Sequence, residues 1–141
     1  MNASLNATSS RARLPMLPVL VAIAGLIHLA TGLALMLAPA WFFQNIGTFP
    51  PFNRHYAGDL GAFELGLGLA LLPAARRPGR HWLLLAAVAA ANLLHALNHA
   101  YDALLIDAPL AYWAGDLGPL LLTTAVLVLV ALAAWRDAKQ L

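Results

Sequence analysis

Residues 81–106 read HWLLLAAVAAANLLHALNHAYDALLI. The background of Leu and Ala is long enough for a bilayer, which takes about 20 apolar residues as a helix. Set into it are Asn92, His95, His99 and Asp102. At about 100° per residue these four fall within an arc of roughly 80° on one helix face. In a soluble protein that stripe would be the wet face. In a bilayer it is a buried polar seam, and ionisable groups there are costly and usually line a site or cavity.

The rest of the chain supports the bilayer reading. Of its 141 residues 62% are hydrophobic and only 10% charged, whereas a soluble domain carries about 25% charged residues. Three further apolar runs predict an all-α integral membrane protein with spans at about 16–40, 57–75, 81–106 and 112–135. Pro15 and Pro18 sit in the first turn of span one, where proline is tolerated. Pro50-Pro51 precedes span two as a start signal. Gly118-Pro119 predicts a kink in span four. The run from Leu14 to Ala40 is far longer than the about 7–15 residues of a cleavable signal core, so it reads as an uncleaved span.

Orientation follows from the positive-inside rule. Arg11, Arg13, Arg76, Arg77, Arg80, Arg136 and Lys139 fall on one side, and Arg54 alone on the other. Both termini are therefore expected in the cytoplasm, with tails of residues 1–14 and 136–141 around a membrane domain of residues 15–135. Trp82 and Trp135 mark the inner interface, and Trp41, Tyr101, Tyr112 and Trp113 the outer one. Asn2 and Asn6 match a glycosylation pattern, but on the side where it has no meaning. Residues 41–56 contain Phe42, Phe43, Phe49 and Phe52, too apolar for free solvent, and read as an interfacial anchor or a lid.

Several function classes drop out. There is no cysteine, which removes disulfides, thiolate metal sites and thiol nucleophiles. The only serines, Ser4, Ser9 and Ser10, lie in the N-terminal tail, so no Ser-His-Asp arrangement is available. No glycine-rich phosphate loop occurs. The isoelectric point near 9.5 reflects topology, not nucleic-acid binding, because no basic stripe interleaved with aromatics is present. A channel or full proton relay needs polar groups through the whole thickness. Here they occupy only the outer half.

A rise of about 1.5 Å per residue converts position into depth. Arg54, His55, Asp59 and Asp116 form an outer rim, with His55 and Asp59 spaced to pair. His28, Glu64, Asn92, His95, His99 and Asp102 are the candidate pocket, with His28, Asn92 and His95 near the midplane. Glu64, between Phe63 and Leu65, needs a hydrogen-bond partner or a role as acid or base. His95 and His99 also have the spacing of two metal ligands, although no further histidine cluster completes a site. Small residues four apart, Ala62 with Gly66, Ala86 with Ala90, and Ala87 with Ala91, predict close helix contacts.

Two segments carry a family resemblance. One is Asn53-Arg54-His55 followed by Asp59-Leu60-Gly61-Ala62-Phe63 and Leu65-Gly66-Leu67-Gly68. The other is Asn92, His95, His99 and Asp102. With four spans and the basic loop Arg76 to Arg80, the chain from about Pro15 onward resembles the DoxX-like superfamily of small bacterial membrane proteins, and is most similar to branches without an assigned function. The resemblance implies an antiparallel four-helix bundle in the bacterial inner membrane. Some relatives are associated with thiosulfate oxidation coupled to quinone, and others accompany redox enzymes as membrane subunits. It thus implies quinone as a cofactor class and a membrane redox or transport subunit as a partner. The missing cysteines speak against sulfur chemistry on this chain itself.

Three functions remain open from the sequence. The leading one is an accessory protein whose outward pocket binds a small amphipathic ligand, such as a quinone or a lipid headgroup. Apolar walls with a few convergent polar groups are the usual design of such sites. The second is an enzyme using Glu64 with His95 or His99 as an acid–base pair. The third is a purely structural subunit of a membrane complex.

Overall fold

The computed structural model describes residues 16–48 and 50–140. The N-terminal tail with Arg11 and Arg13, Pro15, Phe49 of the aromatic loop, and Leu141 lie outside the described residues. Among the described residues every regular element is helical: α1 (Met16–Leu37), α2 (Pro39–Asn45), α3 (Arg54–Ala74), a 3₁₀ turn at Pro78–His81, α4 (Trp82–Leu105), α5 (Leu110–Tyr112), a π-helical turn at Trp113–Leu117, and α6 (Gly118–Ala138).

Four stretches are long and apolar enough to cross a bilayer: Met16–Leu37, Arg54–Ala74, Pro78–Leu105 and Leu110–Ala138. Only 22–33% of each apolar window is buried, and the outward faces carry exposed Ile23, Leu26, Phe63, Leu94, Leu122 and Leu129. A water-soluble bundle hides such residues; one solvated by lipid does not. The chain is therefore a multi-pass membrane protein.

Local chemistry sets the helix ends. The first helix stops at Leu37, three residues before the expected Ala40, because Pro39 removes an amide donor and disfavours helical geometry at the residue before it. Ala38 sits at φ −136°, ψ 52°. The chain then re-forms as α2, and Phe43 meets Phe52 with ring centroids 5.2 Å apart. Helix α3 begins at Arg54, before the expected residue 57, because the Asn53 side chain accepts from the His55 and Tyr56 amides at 3.0 and 3.3 Å, an N-cap. Helix α4 ends with Asp107 at φ 49°, and the Ala108 amide donates to the Ala103 carbonyl at 2.9 Å. That is a Schellman-type close. It turns the chain back so that α5 returns over the end of α4.

The kink expected at Gly118-Pro119 takes the form of the π-helical turn just before it. In an α-helix the Pro119 ring would crowd the Gly115 carbonyl. A wider turn gives that carbonyl room.

The helices pair as α1 with α3 and α4 with α6, with a lighter contact between α1 and α6. The α1–α3 contact is made backbone to backbone. A Cβ placed on Gly32 would lie 2.7 Å from the Leu65 nitrogen and 2.8 Å from the Gly61 oxygen, and one on Gly68 would lie 2.8 Å from the Gly25 oxygen. The matched positions run in reverse order along the two helices. The expected Ala62/Gly66 face is not the one used: Ala62 and Gly66 are exposed, and nothing lies within 4 Å of a Cβ on Gly66. The glycines that pack are seven apart, two turns along one face, not four. Ala87 and Ala91 also face outward.

A continuous apolar core, including Val21, Leu71, Leu85, Val88, Leu127 and Val130, fills the half of the bundle where α1 and α4 begin and α3 and α6 end. The polar side chains of α1, α3 and α4 occupy the other half.

Candidate functional site

Two polar groups stand in that second half. The first is built by α1 and α3. Helix α1 carries His28 three residues after Gly25 and four before Gly32, and α3 carries Glu64 three after Gly61 and four before Gly68. At these spacings each polar residue shares a face with its two glycines. Close approach at the glycines on both sides brings His28 Nδ1 to 2.7 Å from Glu64 Oε2. The side chains are 6% and 14% exposed, so the pair is shut off from its surroundings. The bond requires one proton, on His28 Nδ1 or on Glu64 Oε2. Glu64 thus takes His28 as its hydrogen-bond partner, not His95 or His99.

The second group is built by α4 and the start of the last span. His95 and His99, one turn apart, approach Nε2 to Nε2 at 3.0 Å, with their rings edge to face and centroids 4.8 Å apart. The Tyr112 hydroxyl lies 3.4 Å from His99 Nδ1. All three are half-buried. A neutral imidazole donates from one nitrogen and accepts at the other, so a neutral His99 gives the row a direction. If Tyr112 donates to His99 Nδ1, His99 donates from Nε2 to His95 Nε2, and His95 keeps its proton on Nδ1. The opposite polarity has His95 Nε2 donating to His99 Nε2 and His99 Nδ1 donating to the phenol oxygen. In either state the row presents one further polar atom at its end, His95 Nδ1, as donor or acceptor.

Two carboxyl side chains, Asp116 and Asp102, lie one turn along the chain from Tyr112 and His99 respectively. Asp116 follows Tyr112 by four residues in the π-helical turn. Asp102 Oδ2 accepts from Asn98 Nδ2 at 3.3 Å. Tyr112, expected in the outer aromatic belt, is turned inward onto the histidines. Its signal was Gly118-Pro119, which announces irregular winding just after it.

The remaining expected residues lie apart. Asn92 is buried against α6: its Nδ2 donates to the Val88 carbonyl at 3.0 Å, while its backbone carbonyl lies 3.3 Å from Thr124 Oγ1. That hydroxyl also reaches the Leu120 carbonyl at 2.8 Å. Asn92 thus serves helix contact, not the histidine row. His55 Nε2 meets Asp59 Oδ2 at 3.4 Å on an exposed surface, a pairing the i, i+4 spacing foresaw. Arg54 is exposed and forms no ion pair among the described residues. No group of three His, Cys, Asp or Glu side chains among the described residues is arranged to hold a metal; His95 and His99 have no third protein ligand.

No family model, curated protein or solved structure matches the chain.

Proposed function

We propose that this chain is an accessory protein of the bacterial inner membrane that binds the polar head of a quinone at the row Tyr112–His99–His95. It is a DoxX-like antiparallel bundle with both termini in the cytoplasm, and the row opens toward the outer leaflet. The supporting observation is the row itself: three half-buried hydrogen-bonding side chains on otherwise apolar helices, joined at 3.4 and 3.0 Å. A quinone brings neutral carbonyl acceptors, which suit the free donor that the row presents in one of its polarities. A phosphate headgroup suits it less, because Asp102 and Asp116 put carboxyl groups one turn from His99 and Tyr112. The isoprenoid tail would lie along the exposed leucines of α4. His28 and Glu64 hold the bundle together behind the row, and Arg54, His55 and Asp59 form a solvated rim.

The test is titration of detergent-purified protein carrying Trp41→Phe, Trp82→Phe and Trp135→Phe with short-chain ubiquinone and menaquinone analogues, read by quenching of Trp113, which adjoins Tyr112. Saturable quenching is expected. Tyr112→Phe removes one hydrogen bond and should weaken binding by a few-fold, as a net contribution of about 0.5–1.5 kcal/mol implies. His95→Leu should weaken it more. Folded protein that shows no saturable response to either analogue would overturn the assignment.

A further inference from the structure

A second candidate site lies away from the histidines, in a groove of the bundle. It lies on the lipid-facing side of α4 and α6, in the half that holds the apolar core, with a volume of about 430 Å³. That is within the range of about 300–1,000 Å³ usual for small-molecule sites. Its floor is Ala86, Ala89, Ala90 and Ala131, and Trp82 and Trp135 flank it at the bundle end. Alanine on both helices leaves a channel where larger side chains would have met, and almost nothing polar lines it.

The chemistry changes abruptly past the two tryptophans. Arg80 lies two residues before Trp82, in the turn Pro78–His81, and Arg136 and Lys139 follow Trp135. The turn is held against the end of α6, where Gly79 abuts Asp137 and Ala138. The three cations therefore share one end of the bundle. Lys139 Nζ stands 3.6 Å from the centroid of the Trp135 ring. All three are exposed, and the only ion pairs among the described residues are those of His28 and His55.

We infer that this groove is a binding site for an anionic phospholipid, with an acyl chain in the alanine channel between Trp82 and Trp135 and the phosphate held by Arg80, Arg136 and Lys139. Charge complementarity selects the occupant. An apolar channel alone accepts any chain, but three cations near in sequence to the tryptophans that flank it, against the carboxylate of Asp137 at that end, favour a lipid with net negative charge. Tryptophan at the mouth fits the preference of its ring for the headgroup level. The site is independent of the histidine row and lies in the opposite half of the bundle.

The experiment uses full-length protein carrying Trp41→Phe and Trp113→Phe, so that only Trp82 and Trp135 report. It is reconstituted in phosphatidylcholine vesicles with small mole fractions of acyl-brominated phosphatidylglycerol or acyl-brominated phosphatidylcholine, and the ratio of the two quenching curves is read. Quenching by the anionic lipid is expected at mole fractions on the order of tenfold lower. The triple change Arg80→Gln, Arg136→Gln, Lys139→Gln should bring the ratio to one. Ala90→Leu, at an exposed position, narrows the channel and should reduce quenching by both lipids without changing the charge. Equal quenching by the two lipids in the parent protein overturns the inference, as does a preference that survives the triple change. Protection from both lipids with a cross-linkable dimer would show that a second copy covers the groove, and overturns it too.

Discussion

Where α1 meets α3, backbone lies on backbone across Gly25, Gly32, Gly61 and Gly68; where α4 meets α6, the polar tie is the Thr124 hydroxyl near the Asn92 carbonyl. Each pair carries polar side chains into an apolar bundle, and they treat them differently. The glycine pair approaches so closely that an imidazole and a carboxyl satisfy each other and are shut away. The second pair meets through side chains, leaves a groove along its alanines, and holds its imidazoles half open beside a tyrosine. Tight packing makes polar residues structural. Looser packing leaves them available to a ligand.

The sharpest way to break this contrast is to put a side chain between α1 and α3. Gly32→Val meets backbone on the facing helix and should cost about 1–3 kcal/mol or more, the usual penalty of overpacking. Gly66→Val, facing open space two residues from Glu64, should stay within about 0.5 kcal/mol of the parent. Unfolding in mixed micelles measures both, and equal stability of the two variants would remove the distinction between the pairs.

A smaller effect is expected at the closed polar pair. His28→Leu leaves Glu64 without its partner and should cost about 1–3 kcal/mol. Adding Glu64→Leu removes the orphaned group and should recover most of that loss. A double mutant no better than His28→Leu alone would show that the pair contributes through shape, not through the hydrogen bond.

The smallest effect belongs to the looser pair. Thr124→Val keeps the shape and deletes the hydroxyl. Interhelical hydrogen bonds in bilayers average about 0.6 kcal/mol, so thermal unfolding should shift only slightly. A loss as large as that of Gly32→Val would mean that α4 and α6 depend on one bond more than their geometry suggests.

Much of this architecture was legible in the sequence, and its failures have a common cause. Composition and the lengths of the apolar runs located four spans. The i, i+4 rule placed His95 beside His99 and His55 beside Asp59, because such contacts lie within one helix. Contacts between helices depend on register. The four-residue spacing of Ala62 and Gly66 pointed to the wrong face, while Gly25/Gly32 and Gly61/Gly68, seven apart, escaped attention. They set the register that delivers Glu64 to His28. Tyr112 was missed because regular winding points it toward the interface, and the π-helical turn ahead of Pro119 changes where residues before it face. Asn92 shares its arc with the histidines on an ideal helix, yet it lies deeper, where Thr124 of α6 stands opposite.

The closed pair of His28 and Glu64 also constrains biogenesis. The two residues are 36 positions apart, so a nascent chain delivers the imidazole to the translocon well before the carboxyl exists. An ionisable side chain at the centre of a lone helix costs about 2.5–3.5 kcal/mol on insertion scales for Asp, Lys or Arg, and among the described residues His28 is the hydrogen-bond partner of Glu64. Entry of α1 and α3 together, already joined through their glycines, avoids presenting either group to lipid alone. Insertion of the first two membrane helices as a pair would therefore spare both groups from facing lipid alone.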